Sequence, residues 1–381
     1  MIPYGRQDIT QDDIDAVKEV LKSDFLTQGP QVPKFETMVS DYCGSKYAIA
    51  VSSATSALHI ACQALGLSKG DWLWTSPITF VASANCARYC GAKVDFIDID
   101  PDTYNLCPQA LEKKLIEAKK KGCLPKIVIP VHLSGQSCDM KSIHALSQVY
   151  GFKIIEDASH SVGSSYLDNP VGGCQYSDVT VFSFHPVKII TTAEGGMALT
   201  NNSKLADSMS MLRSHGITRN PEHMTKEPDG DWYYQQLDLG YNYRMNDIQA
   251  ALGISQFKRI DTIVSRRHTL ADRYNKLLQD LPIKTPFQSS HSYSSFHLYI
   301  ILLNEATKHK QLFSDLRKKD IGVNLHYIPI YRQPYYSSKN LDYNNFPISE
   351  LYYSSAISIP LYPSLSEVDQ DKVVEAIRKS L

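Results

Sequence analysis

The sequence lacks the features that direct a protein to nucleic acid or to a membrane. Its 381 residues carry 39 basic and 40 acidic side chains, so no excess positive charge is available to bind a phosphodiester backbone. No segment approaches the ~18 consecutive apolar residues that a membrane span requires. The opening residues, MIPYGR, lack the charged and apolar regions of a signal peptide. We therefore expect a cytoplasmic protein with neither a nucleic-acid nor a membrane partner.

The eight cysteines form no Cys-x-x-Cys pair. Cys86 and Cys90 lie four residues apart in a helical stretch, but no nearby histidine or cysteine pair completes a zinc ligand set. We therefore expect scattered reduced thiols and no metal.

Short β-branched segments alternate with helical stretches between about residues 45 and 200. This alternation predicts an α/β fold, with a mostly parallel sheet covered by helices on both faces. The predicted strands are YAIAVS, DWLWTS, KVDFIDI, KIVIPV, KIIEDA, DVTVFSF and GMALT. Ligands of such sheets bind beyond the carboxyl ends of the strands, so the residues that follow strands are the candidates for a site.

The pattern changes near residue 247. A long, broken helix is predicted first, then the strand SSFHLYIILL, the helix KHKQLFSDLRKKD, the strand GVNLHYIPI and the helix EVDQDKVVEAIRKSL. We expect a large domain over residues 1–250 and a smaller α+β domain over residues 251–381. The polar stretch 219–235 predicts a loop that covers a site or reaches a partner subunit.

Three stretches carry residues suited to one chemistry. SSATSAL, residues 52–58, places small and hydroxylic residues between a strand and a helix, where free N–H groups hold phosphate. EDASH places Asp157 at a strand end, and His160 one turn later. SFHPVK places Lys188 five residues after Ser183, and a lysine becomes nucleophilic when its pKa is lowered.

Each stretch alone has an ordinary explanation as a helix cap, a capping carboxylate or a solvated loop lysine. Together they supply the three contacts of pyridoxal 5′-phosphate. The turn holds the phosphate, Asp157 keeps the pyridine nitrogen protonated, and Lys188 forms the Schiff base.

Seven stretches, in this order, resemble the DegT/DnrJ/EryC1/StrS family of sugar aminotransferases. They are LTQGPQVPKFE, SSATSALH, TSPITFVASANC, EDASHSVGSSY, SFHPVKIITTAEGGM, LGYNYRMNDIQAALG and GVNLHYIPIYRQPYY. The resemblance implies an aspartate aminotransferase-like (type I) fold and a homodimer with shared active sites. It also implies transamination of a UDP-4-keto-6-deoxy-N-acetylhexosamine with L-glutamate, a step towards pseudaminic acid.

The resemblance also implies a role for each matching position. Lys188 would bond to the cofactor and shuttle a proton, Asp157 would pair with the ring nitrogen, and His160 would approach the phenolic oxygen. The remaining cofactor contacts would come from Ala54, Thr55, Ser56, Phe80, Ser183 and, towards the neighbouring subunit's phosphate, Asn242. The sugar-nucleotide site would be lined by Tyr4, Asp24, Phe25, Leu26, Thr27, His326, Tyr327, Ile328 and Pro329.

Two positions depart from the common family pattern. Many members have Asn-Gly-Thr where this chain has Ser53-Ala54-Thr55, so the turn must tolerate a Cβ. Many members have glutamine at position 160, where a histidine is expected to change its charge with pH.

Four alternatives stay open. The sugar could be the D-xylo epimer, or the chain could be a sugar dehydratase, whose relatives replace the lysine with histidine. A regulator on the same fold is a third possibility. The fourth is an amino-acid aminotransferase, for which Arg332 is a weak candidate to bind the second carboxylate.

Overall fold

The protein is described by a computed structural model that covers residues 1–337 and 342–381. The strands, in chain order, are β1 (Tyr47–Val51), β2 (Trp72–Thr75), β3 (Lys93–Phe96), β4 (Ile127–Ile129), β5 (Lys153–Asp157), β6 (Ser165–Tyr166), β7 (Asn169–Pro170), β8 (Val179–Ser183), β9 (Gly196–Thr200), β10 (Ile217–Thr218), β11 (Gln235–Gln236), β12 (Ile283–Lys284), β13 (Ser292–Tyr293), β14 (Tyr299–Leu303) and β15 (Ala356–Ile359).

The α-helices, in chain order, are α1 (Gln11–Leu21), α2 (Gln31–Cys43), α3 (Ala54–Ala64), α4 (Ala82–Tyr89), α5 (Pro108–Lys121), α6 (Met140–Tyr150), α7 (Ser203–Arg213), α8 (Asp247–Phe257), α9 (Ile260–Leu278), α10 (His309–Lys318), α11 (Pro334–Ser337), α12 (Pro347–Ser355) and α13 (Glu367–Arg378).

A seven-stranded sheet with the order β1-β9-β8-β5-β4-β2-β3 forms the centre of the molecule. Strand β9 runs antiparallel to both of its neighbours, and every other adjacent pair is parallel. The prediction of a mostly parallel sheet is therefore confirmed. Because β9 returns antiparallel to β8, the chain needs no crossover helix there. Residues 184–195 form a loop at the carboxyl end of β8, and this loop carries Lys188.

Two apolar clusters pack the large sheet against its helices. One joins β1 and β4 to α3, α4 and α7, and the other joins β9 to α2, α8 and the first turns of α9. The strands of the sheet are mostly buried because both of their faces are covered, which matches the near-continuous apolar runs of the sequence.

The second half of the chain contains a three-stranded sheet, β12-β14-β15, packed on α9, α10 and α13. The long predicted helix is interrupted between Phe257 and Ile260, as expected. Helix α9 contributes Val264 to the apolar cluster of the large sheet and Leu270 to that of the small sheet. Because one helix packs into both clusters, the domain boundary predicted at residue 250 stays a prediction.

The predicted strand GVNLHYIPI is wrong. Only Asn324 pairs, in an isolated antiparallel bridge with Ser358 of β15. Beyond Asn324 the chain leaves β15: the carbonyl of His326 accepts from the hydroxyl of Tyr352 at 2.6 Å, and the N–H of Ile330 donates to the carbonyl of Pro77 at 3.0 Å. The segment therefore crosses from the small sheet to the strand ends of the large one.

The described residues contain neither a membrane-spanning helix nor a metal-binding cluster. None of their helices is both long and apolar enough to cross a membrane. They contain no group of three or more His, Cys, Asp or Glu side chains that could hold a metal ion. All eight cysteines are free thiols.

Candidate active site

A cavity of about 620 Å³ lies at the carboxyl edge of the large sheet, beneath the segment that crosses from the small sheet. Ten of the predicted residues line it: Tyr4, Ala54, Thr55, Phe80, Asp157, His160, Ser183, Lys188, His326 and Tyr327. Further lining residues that the sequence did not single out are Ser53, Leu58, Thr79, Ser159, His185, Glu194, His297 and Asn324.

The turn between β1 and α3 forms one wall. Ser53 caps α3, and its Oγ accepts from the N–H of Ser56 at 3.1 Å. Ala54 and Thr55 therefore occupy the first helical turn, where N–H groups and the helix dipole favour an anion. Ser56 is buried, and its hydroxyl hydrogen-bonds to Ser53 Oγ at 2.9 Å rather than facing the cavity.

Backbone geometry explains why this turn accepts alanine. Ser53 has an extended φ of −165°, and Ala54 is helical, so neither needs the left-handed region. Gly196 of β9 packs directly beneath the turn. A Cβ at that position would lie 2.4 Å from the backbone nitrogen of Ala54. The glycine that this site requires is therefore on the supporting strand.

Asp157 ends β5 and is held by two donors. Ser83 Oγ donates to Oδ2 at 2.6 Å, and the N–H of Ser159 donates to Oδ1 at 3.2 Å. Ser83 is in turn 2.9 Å from Thr79 Oγ1. Neither Ser83 nor Thr79 was predicted from the sequence. Their i,i+4 spacing just beyond β2, another strand of the same sheet edge, is the signal that could have found them.

Lys188 lies in the 184–195 loop with its amine withdrawn from solvent. Desolvation lowers its pKa from 10.5 to about 8, although the charge of Asp157 opposes the shift. Roughly a tenth of the amine is then uncharged at pH 7, far more than for an ordinary lysine. Farther along the loop, Ala193 adopts a left-handed φ of +65°, with its N–H 2.9 Å from Thr191 Oγ1. That conformation is one that glycine adopts more readily than alanine.

Its surroundings hold His160 in the neutral form near neutral pH, which opposes the expectation that its charge varies there. Its Nδ1 accepts from the N–H of Ser134 at 3.2 Å, and its Nε2 lies 3.0 Å from Tyr327 Oη. Burial and the nearby charge of Lys188 hold its pKa well below the ordinary value. The ring of His297 lies 4.3 Å from that of His160, and its pKa is lowered mainly by burial.

His326 closes the cavity from the side of the small sheet. Its Nδ1 is 2.8 Å from Ser358 Oγ, and its Nε2 is 3.3 Å from Asn324 Nδ2. Burial and Lys188 lower its pKa to about 3, so the imidazole is neutral. Its ring also packs 5.2 Å from that of Tyr4, which brings the N-terminal segment to the site.

The remaining predicted residues do not line the cavity in the single chain. Residues 24–27 and Asn242 are exposed, as is Ile328, whereas Pro329 is buried. Arg332 is also elsewhere, because it forms an ion pair with Glu350 and stacks on Tyr343 at 4.9 Å. No arginine is present among the described residues that line the cavity.

The cavity residues fit pyridoxal phosphate. The first turn of α3 suits the phosphate, Asp157 suits a cationic ring nitrogen, and Lys188 is a desolvated amine. Phe80 lines the cavity and remains 58 % exposed, which leaves an aromatic face available to cover a ring.

Known proteins resemble the chain over nearly its whole length. It is 38 % identical over 384 residues to the spore coat polysaccharide biosynthesis protein SpsC of Bacillus subtilis, covering 99 % of this chain and 96 % of that protein. It is 37 % identical over 381 residues to the UDP-4-amino-4,6-dideoxy-N-acetyl-beta-L-altrosamine transaminase of Campylobacter jejuni, covering 99 % and 96 %.

Two solved structures share the fold. PseC of Helicobacter pylori, an aminotransferase involved in pseudaminic acid biosynthesis, superposes with a TM-score of 0.91 at 32 % identity, covering 100 % of this chain and 98 % of the other. The PMP form of the sugar aminotransferase Spr1654 of Streptococcus pneumoniae gives 0.91 at 28 %, covering 100 % and 99 %, and a PLP form of Spr1654 is also similar. The fold is therefore the predicted type I fold.

The DegT/DnrJ/EryC1/StrS aminotransferase family is matched by residues 7–378. With the fold and the cavity described above, this match shows that the chain belongs to that family of pyridoxal-phosphate-dependent sugar aminotransferases.

Proposed function

We propose that the chain transfers the amino group of L-glutamate to C4 of UDP-2-acetamido-2,6-dideoxy-β-L-arabino-hex-4-ulose. The product is UDP-4-amino-4,6-dideoxy-N-acetyl-β-L-altrosamine, a precursor of pseudaminic acid. One observation supports amino transfer in particular: the desolvated amine of Lys188 lies in the same cavity as Asp157. The particular sugar is supported by the 37 % identity to the Campylobacter enzyme.

The cofactor, when bound, supplies an electron sink that stabilises negative charge on the carbon next to the transferred nitrogen. The chain's residues do the rest. In its neutral form, Lys188 Nζ takes the proton from the α-carbon of glutamate and later returns a proton to C4 of the sugar. Asp157 holds the proton of the ring nitrogen, because Ser83 and Ser159 fix its carboxylate towards the cavity.

The other predicted contacts position the ligands. Ala54, Thr55 and Ser183 bind the phosphate, and Phe80 covers one ring face and excludes water. Tyr4 and His326 contact the sugar nucleotide from the side of the small sheet.

We further propose a homodimer in which residues 24–27 and Asn242 serve the partner's site. These residues are exposed and lie outside the cavity of their own chain. Large apolar side chains near Asn242 also face solvent in the single chain. Trp232 is 74 % exposed and Leu239 is 75 % exposed, and a second copy would cover both.

A second candidate is amination of the D-xylo epimer of the same UDP-4-keto sugar. The chain resembles SpsC, a spore coat polysaccharide biosynthesis protein, as closely as it resembles the altrosamine transaminase, so similarity alone does not select one sugar. The two epimers share the nucleotide, the N-acetyl group and the reacting ketone, so the cavity's acid–base residues serve either one.

The test is an NMR assay that offers the purified protein both UDP-4-keto epimers with L-glutamate and identifies the aminated product. We expect selective amination of the L-arabino epimer, and no amination by Lys188→Ala. Reversed preference would instead support the second candidate, and equal preference would remove the L-arabino assignment while leaving the family unchanged. Loss of the 3-hydroxyl without amination would identify a dehydratase, and a colourless protein inert to both sugars would identify a regulator.

A further inference from the structure

The hydrogen bonds around His160 have only one possible direction. Nδ1 lies 3.2 Å from the backbone nitrogen of Ser134, and a backbone N–H can only donate. Nδ1 is therefore the acceptor and carries no proton. The single proton of the neutral imidazole is on Nε2, which lies 3.0 Å from Tyr327 Oη. His160 therefore donates to Tyr327, whose own hydroxyl proton is left to point elsewhere.

The backbone donor that sets this direction is firmly held. Ser134 adopts a left-handed φ of +61°, and its carbonyl accepts from the N–H of His297 at 2.8 Å. The preceding N–H, of Leu133, donates to Asn105 Oδ1 at 2.9 Å. On the other side, a Cβ at Gly135 would lie 2.6 Å from Ser295 Oγ, so the loop is tightly packed. The N–H of Ser134 cannot turn away from His160 without breaking these contacts.

The surroundings of His160 also oppose its protonation. The groups that face it are the ring of His297 at 4.3 Å, Tyr327, Lys188 and His326. None of them carries a negative charge that would stabilise an imidazolium, and Lys188 disfavours one. A second proton on Nδ1 would also break the bond from Ser134 and leave two donors facing each other.

We propose that Tyr327, rather than His160, presents the donated proton to the cavity, and that His160 is a positioning residue that orients the tyrosine hydroxyl. The acceptor is an oxygen of the bound ligands, either the phenolic oxygen of the cofactor or an oxygen of the sugar nucleotide. The proposal rests on the cavity being the site of the proposed amino transfer.

Tyr327 is well placed for this task. It lines the cavity together with Asp157 and Lys188. The peptide that precedes it is fixed by Tyr352, whose hydroxyl donates to the carbonyl of His326 at 2.6 Å. With one lone pair of Oη engaged by His160, the hydroxyl proton is directed away from the imidazole and can meet an acceptor in the cavity.

The same polarity explains why glutamine can replace His160 in other family members. A glutamine carbonyl can accept from Ser134 while its amide donates to Tyr327, so the direction of both hydrogen bonds is kept. Leucine has a similar bulk but makes neither bond.

The first test uses NMR to locate the proton on the His160 imidazole, without substrate. In protein labelled with [15N]histidine, we expect the His160 signals to show a neutral Nε2–H tautomer that does not titrate between about pH 5.5 and pH 8.5. The His160→Gln variant assigns these signals by their loss. His144 is a matched control with the opposite tautomer, because its Nδ1 faces the carbonyl of Tyr176 at 3.2 Å and must donate. A titrating His160, or one protonated at Nδ1, would overturn the proposal.

The second test separates the two possible acceptors. We expect Tyr327→Phe to lower kcat/KM by about tenfold or more, the value of one lost hydrogen bond to a charged or reacting group. If the acceptor is on the cofactor, the visible absorbance of the substrate-free enzyme changes its pH dependence. If the acceptor is on the sugar, the absorbance stays the same and KM rises for the sugar but not for glutamate. A variant with wild-type absorbance and kinetics would refute the role of Tyr327.

A third comparison tests the positioning role of His160. We expect His160→Gln to retain at least about tenfold more activity than His160→Leu, because only glutamine keeps both hydrogen bonds. Equal activities would show that His160 does not act through Tyr327. The His144→Gln variant, which lies outside the cavity, is the control for general effects of exchanging a histidine.

Discussion

Two neighbouring residues of β5, Glu156 and Asp157, carry the same charge and face opposite sides of the sheet. Asp157 lies in the cavity, where Ser83 and Ser159 hold it towards a ligand. Glu156 lies among His132, Ser177 and Thr180, and all three donate to its carboxylate. Side chains alternate across a strand, so one β5 residue serves the chemistry while the next serves the fold.

The histidines on the two sides sharpen this comparison. His132 and His160 each accept a backbone N–H at Nδ1, from Cys138 and Ser134 respectively. Each then donates from Nε2, but His132 meets a carboxylate at 2.8 Å, whereas His160 meets a hydroxyl that faces the cavity. The first pair is closed, since its donors and acceptors satisfy one another. The second pair ends in the hydroxyl proton of Tyr327, which remains available to a ligand in the cavity.

The largest expected effect on the cavity side is that of Lys188→Ala. We expect turnover to fall by at least ~10⁴-fold, because no other amine takes the proton from the substrate carbon. The bond between chain and cofactor is lost as well. Steady-state kinetics, and borohydride reduction followed by peptide mapping, measure the two effects. The control is Lys204→Ala, an exposed lysine of α7. Reduction that tags another side chain in the wild-type protein would contradict the assignment.

The next effect compares the two carboxylates directly. We expect Asp157→Asn to lower kcat by about 100-fold or more, because an amide cannot hold the ring nitrogen's proton. Its folding stability should change little, since the amide oxygen can still accept from the N–H of Ser159, while the Ser83 hydroxyl can turn to accept from the amide NH2. Kinetics, cofactor absorbance and thermal unfolding distinguish these outcomes. A variant with wild-type kinetics would exclude Asp157 from the mechanism.

Replacing Glu156 should have the opposite result to replacing Asp157, with a loss of stability and little loss of activity. We expect Glu156→Ala to lower the free energy of unfolding by about 3–5 kcal/mol, because His132, Ser177 and Thr180 lose their shared acceptor. The variant's kcat should stay near that of the wild type wherever it is folded. Urea unfolding gives the stability, with the exposed Glu112→Ala on α5 as control.

The stability effect of Glu156 should also depend on pH. Although burial opposes it, hydrogen bonding by His132, Ser177 and Thr180 lowers the pKa of Glu156. Its contribution is therefore complete above the ordinary pKa of 4.5 and is lost as the pH falls through the lower folded value. The gap between wild type and Glu156→Ala should shrink in acid. A gap that widens there would contradict the hydrogen-bonding account.

Sequence reasoning found the parts of the site that follow strands. Lys188, Asp157 and the turn at Ala54 were predicted because the carboxyl ends of parallel strands meet at one edge. Ser83 and His297 were missed, since Ser83 contacts Asp157 from helix α4 and His297 reaches the cavity from the segment that leads into the small sheet. The strand predicted at GVNLHYIPI failed for the same reason. Its residues cross between the two sheets, and local β-propensity does not encode that path.

The smallest expected effect is the folding stability lost because the folded protein desolvates the Lys188 amine. Below its pKa of about 8 the amine is charged in both the folded and unfolded states, but only the folded state desolvates it. The wild type therefore loses free energy of unfolding there, and this loss fades as the pH rises from about 8 to the ordinary pKa of 10.5. We expect cofactor-free Lys188→Met to be more stable than wild type by about 1 kcal/mol at neutral pH. The value is modest because the lysine side chain is partly exposed and the charge of Asp157 offsets part of the desolvation penalty.

Urea unfolding of both cofactor-free proteins, at neutral pH and in alkali, measures this difference. The gain should disappear at high pH, where the lysine is neutral in either state. Lys204→Met, at an exposed position of α7, should give no gain at any pH. If Lys188→Met were instead destabilising at neutral pH and unchanged in alkali, the attraction of Asp157 would outweigh desolvation. The pKa of the amine would then lie above the ordinary value of 10.5, and a bound ligand would have to lower it before the amine could accept a proton.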